Sequence, residues 1–277
     1  MEKYTLIGHP LGHSMSPFIH NQLFEMAGRN AEYTLSDIAP ENLESEIDDI
    51  KSLDGFNITI PHKIAVMKFL DELDETAMRY GAVNCVSKRN GKLTGYNTDC
   101  LGFVRSAEKL ALDGNVLLLG CGGVGRMIAV ELALKGASIT MAVIPEAVND
   151  AEKLISEIHS INPDTDIRYI MMNEISGSYD LLVNATPVGM YPKCDVCPVS
   201  DDIISDCGAV FDVIYNPVKT LLVKKAEAMG KKTVGGMAML VLQAVKAHEI
   251  WNSDFYTDEQ INAVIKNAEM KVEADFR

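Results

Sequence analysis

"LLLGCGGVGRMIAVEL", residues 117–132, runs three leucines into Gly120, Gly122 and Gly125 at G-x-G-x-x-G spacing. With Asn115 and Val116 ahead of it, the apolar run reads as a strand buried on both faces of a parallel sheet. "RMIAVELALKG" after it reads as a helix. In such a strand-turn-helix frame one glycine makes the tight turn, one lets backbone approach a pyrophosphate, and one lets helix pack close on strand. The helix start adds unpaired N–H groups and a positive dipole end, so the stretch suits a dinucleotide. A glycine-rich βα turn of purely structural purpose has the same pattern, and the neighbouring segments bear on the choice.

Downstream, "ASITMAVI", "DIRYIM", "YDLLVNAT" and "AVFDVIY" read as further strands, separated by helical stretches such as "PEAVNDAEKLISEIH" and "PVKTLLVKKAEAMG". Strand and helix alternate, which predicts a parallel sheet that begins near Asp113-Gly114. The segment from "MAMLVLQAVKAHEIWNSDF" onward reads as long helices. Upstream, "YTLIGHP" is a strand and "SPFIHNQLFEMAG" a helix, with Ser16 expected at its N-cap, Pro17 in its first turn and Gly28 past its end. "SLDGFNITI" is a strand and "HKIAVMKFLDELDETAMRYG" a helix, while "AVNCVSKRNGKLTGYNTD" is a hairpin turning at Asn90-Gly91. This first unit is an α/β domain of about 100 residues.

The 277 residues, 47% hydrophobic and 23% charged, suit one large or two modest globular domains. Acidic residues outnumber basic ones by 39 to 25, and the net charge of −14 argues against nucleic acid and anionic membranes as partners. The beginning of the chain lacks the pattern of an export signal, no apolar run is long enough to span a bilayer, and a cytoplasmic protein is expected. Six irregularly spaced cysteines then read as reduced thiols. Cys194 and Cys197 form the one C-x-x-C, without the second pair that zinc would want, and Pro10 and Gly12 keep His9 and His13 off a shared helix face. No metal is expected.

"GFNITIPHK", residues 55–63, alternates Asn57 and Thr59 with Ile58 and Ile60 and ends on Pro61, His62 and Lys63. Alone it is a half-buried edge strand. "GHPLGHSMSPFIHN" sets Ser14 and Ser16 at a helix entry, where two hydroxyls and backbone N–H groups suit a carboxylate or simply cap the helix. With "GAVNCV", "GYNTDCLGF", the glycine loop, "VNATPVGM", "DVIYNPVKT" and "GGMAMLVLQA", in this order, these motifs make nearly the whole chain resemble the shikimate dehydrogenase family.

The resemblance implies reduction of 3-dehydroshikimate to shikimate, by NADPH, in a two-domain α/β protein whose domains face each other across a cleft. Residues 1–103, with 238–277 packing back on them, would be the substrate-binding catalytic domain, and 104–237 the Rossmann-type doubly wound domain. It implies that Ser14 and Ser16 hold the substrate carboxylate, that Asn57, Thr59, Asn84, Asp99 and Gln243 bind ring hydroxyls, and that Tyr215 lies at the substrate edge. Lys63 and Asp99 would be the catalytic pair. Gly120, Gly122, Gly123, Gly125, Arg126, Thr186, Gly236 and Met239 would bind the cofactor, with the turn at 235–239 lining the nicotinamide pocket. Asn57, Thr59 and Lys63 then become one polar ledge, with an ammonium placed to stabilise charge developing on a carbonyl oxygen and to donate a proton. Plain structural readings stand beside these: Asn84 as a turn residue, Tyr215 as a surface ring, Gln243 as one polar position on a buried helix. His13, His20 and His62 read as structural neighbours of the site.

The sequence departs from the family pattern at Val143, Ile144 and Pro145, where an Asn-Arg-Thr trio commonly supplies the arginine for the 2′-phosphate of NADP. No acidic residue replaces it at the usual place for a ribose, since Glu146 comes later, so NAD is also possible; Arg168 and Lys153 are the nearest cations in sequence. His248 stands where an aromatic is common. A quinate-active relative using NAD and a ligand-binding member without turnover are the competing readings, and Ser16 favours shikimate over quinate. The small-molecule substrate is the expected partner, in a monomer or homodimer.

Overall fold

The computed structural model describes residues 1–275 apart from position 13, so the expectation placed on His13 lies outside the described residues. The chain divides into two units, Met1–Gly102 with Val241–Ala268, and Phe103–Leu240 with the residues from Glu269 onward. The sequence reading returned all of 238–277 to the first unit. The residues from Glu269 are instead grouped with the second, where Val272 and Glu273 line one hollow with Asn216, Pro217, Val218 and Lys219.

The first unit contains β1 (Glu2–Gly8), α1 (Ser16–Met26), β2 (Ala31–Asp37), α2 (Leu43–Lys51), β3 (Gly55–Ile58), α3 (His62–Ala65), β4 (Glu72–Leu73), α4 (Glu75–Tyr80), β5 (Cys85–Arg89) and β6 (Lys92–Tyr96). Its mixed sheet has the order β2-β1-β3-β5-β6-β4, parallel around β1 and antiparallel from β3 through β6. One face is filled by Ile7, Phe56, Ile58 and Val86 against Leu43, Ile47 and Ile50 of α2. On the other, Tyr4, Leu6 and Phe24 pack with Ala247 and Trp251. Gly55 makes that contact possible, because a Cβ there would lie 2.6 Å from the Trp251 indole nitrogen. The β5–β6 hairpin turns where expected, with Asn90 and Gly91 both at positive φ, as a two-residue turn between twisted strands requires.

Two local expectations are corrected. Residues 62–81 do not form one helix: α3 ends in a single 3-10 turn, and 70–74 is extended, with β4 pairing to β6. Asp71 accepts from the Leu93 N–H at 2.8 Å, and Leu70 and Leu73 pack on the core, so sheet pairing and burial outweigh helix propensity in this stretch. Asp74 then caps α4, accepting from the Ala77 N–H at 2.9 Å. Ser16 is the first residue of α1 rather than its cap; its own N–H donates to the Ser14 hydroxyl oxygen at 3.2 Å. Gly28 lies past the helix end at φ +66, as expected.

α5 (Asp99–Ser106) leads into the second unit: β7 (Asn115–Leu119), α6 (Gly123–Lys135), β8 (Ser138–Val143), α7 (Val148–Ile161), β9 (Ile167–Met171), β10 (Tyr179–Asn184), α8 (Asp201–Ser205), β11 (Cys207–Asp212), α9 (Leu221–Ala228) and β12 (Lys232–Val234). α10 (Gly236–Asn252) and α11 (Asp258–Asp275) follow. All pairings in this sheet are parallel, in the order β12-β11-β10-β7-β8-β9, the doubly wound arrangement expected. The strand order reverses between β7 and β10, and ligands of such sheets bind outside the carboxyl ends of the strands at that point. β12 escaped the sequence reading because "KTV" is too short and too polar to show a strand pattern. No described helix is long and apolar enough to cross a membrane.

Candidate active site

In the first unit, β3, the turn after it, the loop after β6 and the start of α5 bring the expected polar residues together. Lys63 follows the turn at Pro61, and its Nζ donates to Asp99 Oδ2 at 2.7 Å. The pair is partly open to solvent, with side-chain exposures of 28% and 22%. Asp99 begins α5, where the helix dipole favours a carboxylate. Its second oxygen accepts from Asn84 Nδ2 at 2.8 Å, so both ends of the carboxylate are held. Asn84 is buried and is held in turn: its Oδ1 accepts from the Thr98 N–H at 2.7 Å, and Thr98 Oγ1 lies 3.4 Å from Gln243 Oε1. Asn84 is therefore more than a turn residue, and Gln243 shares its network.

The ledge takes shape as the alternation suggested, with one difference. Asn57 is buried and Thr59 half-buried, but β3 ends at Ile58 and Ile60 is 73% exposed. Thr59 lies over Gly8, where a Cβ would meet its Cγ2 at 2.4 Å. Asn57 donates through Nδ2 to the Asn84 carbonyl at 3.0 Å and accepts at Oδ1 from the Tyr33 hydroxyl at 2.7 Å. These two bonds use one of the two amide hydrogens of Asn57. Tyr33 was not singled out in the sequence: it lies in an ordinary β2 strand, and nothing local marks it as the partner of a residue 24 positions away.

Behind Tyr33 stands His20, its ring stacked at a centroid distance of 4.1 Å. His20 Nδ1 is 3.1 Å from His248 Nε2, and both rings are buried, which lowers their pKa by desolvation. His62 Nε2 donates to the Ile38 carbonyl at 2.6 Å. His20 thus backs the ledge through Tyr33, while His62, beside Lys63 in the chain, is tied to the end of a neighbouring segment.

In the second unit the glycine loop connects β7 to α6 beside the reversal of strand order. Gly120 has φ +85, and a Cβ on Gly125 would stand 2.4 Å from the Gly120 carbonyl oxygen, a backbone atom with nowhere to go. Gly122 caps α6, and nothing lies within 4 Å of a Cβ built on Gly122 or Gly123. A narrow glycine cradle at the start of a 13-residue helix fits a pyrophosphate. Thr186, in the loop after β10, sits against it, its Cγ2 2.9 Å from where a Gly120 Cβ would be. Arg126 pairs with Glu157 of α7, Nε to Oε2 at 2.8 Å. Gly236 begins α10 where a Cβ would strike the Val213 carbonyl at 2.1 Å, and Met239 is buried one turn on. Tyr215 is half-buried in the loop after β11, and burial raises its pKa.

A family model described as the shikimate dehydrogenase substrate binding domain matches residues 6–86. A shikimate dehydrogenase (NADP(+)) of Methanocaldococcus jannaschii is 41% identical over 255 residues, covering 89% of each chain. A crystal structure of a shikimate dehydrogenase in complex with NADP+ is 38% identical, covers 96% of this chain and 95% of its own, and superposes with a TM-score of 0.88. The shikimate 5-dehydrogenase of Thermus thermophilus, solved with NADP(H) and shikimate, is 29% identical, with a TM-score of 0.85 over 97% of this chain and all of the other. Coverage this complete reaches the ledge, the Lys63–Asp99 pair and the glycine cradle alike, and the chain belongs to the shikimate dehydrogenase family.

Proposed function

We propose that this protein interconverts 3-dehydroshikimate and shikimate with NADP(H), using Lys63 and Asp99 as its catalytic pair. The observation that carries the reading is the 2.7 Å hydrogen bond between Lys63 Nζ and Asp99 Oδ2, on a ledge that also holds Asn57, Thr59 and Asn84. Residues 1–103 serve as the substrate domain and 104–237 as the dinucleotide domain.

Ser14 and Ser16, both half-buried, hold the carboxylate, with the start of α1 adding its dipole. Asn57, Thr59, Asn84, Asp99 and Gln243 take the ring hydroxyls, and Tyr215 is assigned to the substrate edge. The glycine cradle fits the pyrophosphate, and a dihydronicotinamide bound with it supplies the hydride. Of the three ammonium N–H groups of Lys63, one goes to Asp99, which leaves others to face the carbonyl oxygen as charge develops there. Lys63 donates the proton that completes the alcohol, while Asp99, held at its other oxygen by Asn84, keeps the ammonium aimed. Asp99 also accepts from the neighbouring ring hydroxyl.

The test is nicotinamide absorbance on purified protein with shikimate or quinate against NADP and NAD. Turnover of shikimate with NADP is expected. Turnover of quinate alone would move the protein to the quinate-active relatives, and no turnover of either would make it a binding member of the family.

A further inference from the structure

Asp212 is wholly buried at the end of β11, and among the described residues no cation pairs with it. Burial raises its pKa, opposed by hydrogen bonds from Thr220, the Ile214 N–H and Asn184. A lone buried carboxylate is costly to keep, and packing alone does not call for one. Its geometry shows what it does. Oδ1 accepts from Asn184 Nδ2 at 3.1 Å and from the Ile214 N–H at 3.1 Å, while Oδ2 accepts from Thr220 Oγ1 at 2.7 Å. Only a carboxylate of this size accepts at both ends; an amide would offer one acceptor and one donor.

We propose that Asp212 is a positioning residue that orients the cofactor-facing and substrate-facing loops of the second unit from one buried point. The proposal rests on the assignment of Thr186 to the cofactor and Tyr215 to the substrate. In the first branch, the acceptor at Asp212 draws the NH2 end of Asn184 toward itself. The Asn184 carbonyl end must then point away, where it accepts from the Thr186 N–H at 3.1 Å and from Thr186 Oγ1 at 2.7 Å. Thr186 Oγ1 also accepts from the Val188 N–H at 3.2 Å. Its hydrogen and one lone pair are therefore committed, and it faces a ligand as an acceptor only. The matching group on a nicotinamide nucleotide is a donor, a ribose hydroxyl or the carboxamide NH2. The second branch holds the backbone on either side of Tyr215. Ile214 N–H and Thr220 are bound to Asp212, the Val213 N–H donates to the Asn184 carbonyl at 3.1 Å, and the Ile214 carbonyl accepts from the Gly236 N–H at 3.1 Å.

The two branches make the test selective. KM for NADP and for shikimate, direct binding of NADPH by fluorescence, and thermal unfolding are measured on the full chain carrying Asn184→Ala, Asp212→Ala or Asp212→Asn. Asn184→Ala is expected to weaken NADPH binding and raise the NADP KM about tenfold, with the shikimate KM within about twofold, since only the first branch is cut. Asp212→Ala should raise both KM values about tenfold, and Asp212→Asn, which restores an acceptor at one end, should recover most of that. If Asp212→Ala does not fold, the selectivity of Asn184→Ala and the mildness of Asp212→Asn carry the test alone. Unchanged NADPH binding in Asn184→Ala, or equal rises in both KM values tracking a lowered Tm, would overturn the proposal. Unmodified protein that binds NADPH but does not turn over shikimate would overturn the functional reading instead, and the NADPH-binding arm would still judge the Asn184 branch.

Discussion

Lys63 and Asp99 form a surface-type ion pair to which the proposed mechanism gives a chemical role. A partly exposed Lys–Asp pair contributes little to stability, so its use lies in where it holds the ammonium. Lys63→Ala is accordingly expected to lower kcat by about a hundredfold or more, the usual scale for a positioned proton donor, with a much smaller change in the shikimate KM. Steady-state kinetics check this, and near-normal turnover in the variant would remove Lys63 from the mechanism. Tyr33 acts one step further back. Its hydroxyl holds Oδ1 of Asn57 while the Asn84 carbonyl holds Nδ2, and without it the amide keeps only one of these two anchors. Tyr33→Phe should raise the shikimate KM about fivefold, the worth of roughly one hydrogen bond, and leave kcat nearly unchanged. A variant that lost kcat instead would show that the ring matters to the chemistry and not to binding.

At the scale of elements, the loop between β8 and α7 bears on cofactor choice. β8 ends at Val143, Ile144 is 55% exposed, and 145–147 form one 3-10 turn, whose Ala147 carbonyl lies 3.7 Å from Cys121 Sγ of the glycine loop. The loop is thus beside the cradle and carries no cation. Arg168 does not replace it: in register it lies opposite Thr140, three residues or roughly 10 Å short of the carboxyl end of β8. Lys153 sits in the second turn of α7, its Nζ 3.4 Å from Asp150. A charge-assisted contact to a phosphate contributes about 1.5 to 3 kcal/mol, or on the order of 10- to 100-fold. The expected kcat/KM values for NADP and NAD therefore lie within about tenfold of each other, and Ile144→Arg should raise the NADP preference. A hundredfold preference for NADP in the unmodified protein would mean that another group meets the 2′-phosphate.

At the scale of the whole molecule, stability is tied to pH through one buried network. The Tyr256 hydroxyl donates to the Leu23 carbonyl at 3.0 Å, so its oxygen accepts from His248 Nδ1 at 2.9 Å. His248 Nε2 is then the acceptor for His20 Nδ1–H, and His20 Nε2 is buried without a partner among the described residues. These tautomers follow from the network, and in them both rings are neutral. A further proton on His20 would be a buried donor without an acceptor. The folded pKa values lie below the unfolded value of about 6.5, so below that pH the unfolded chain binds protons that the folded chain refuses. Stability is complete above about pH 6.5 and falls as pH drops, by up to about 1.4 kcal/mol per unit for each ring. Asp254 acts in a lower window. Burial raises its pKa, but the His248 ring, its Nδ1 3.6 Å away, and the Arg29 guanidinium, 2.7 Å away, outweigh that and hold it at about 2. Its contribution is present above the unfolded value near 3.9 and is lost as pH falls through about 2. Urea unfolding between pH 7 and 5 should show the first loss, and His248→Phe should reduce its slope. Stability independent of pH over that range would show that the rings titrate in the folded protein.

What was legible in the sequence is what short-range rules carry. Glycines between an apolar run and a helix start admit few backbone paths, and Asn90-Gly91 between alternating strands leaves one turn; the turn appears as read, and the glycine loop does so with α6 starting at Gly123, three residues before the stretch read as helix. Asn57, Thr59 and Lys63 drew notice as the polar positions and cationic end of one alternating stretch, while Asn84 and Asp99 were supplied by the family resemblance. Tertiary structure decided the rest. It broke 62–81 into pieces because β4 could pair with β6, and it made a strand of Lys232–Val234 because β11 offered an edge. It set His248 against His20 across 228 positions, and gave Asp212 three donors from three different segments. Such partners are chosen by desolvation: a polar group taken out of water must find its complement wherever the fold brings one, and no local pattern in the chain records which residue that will be.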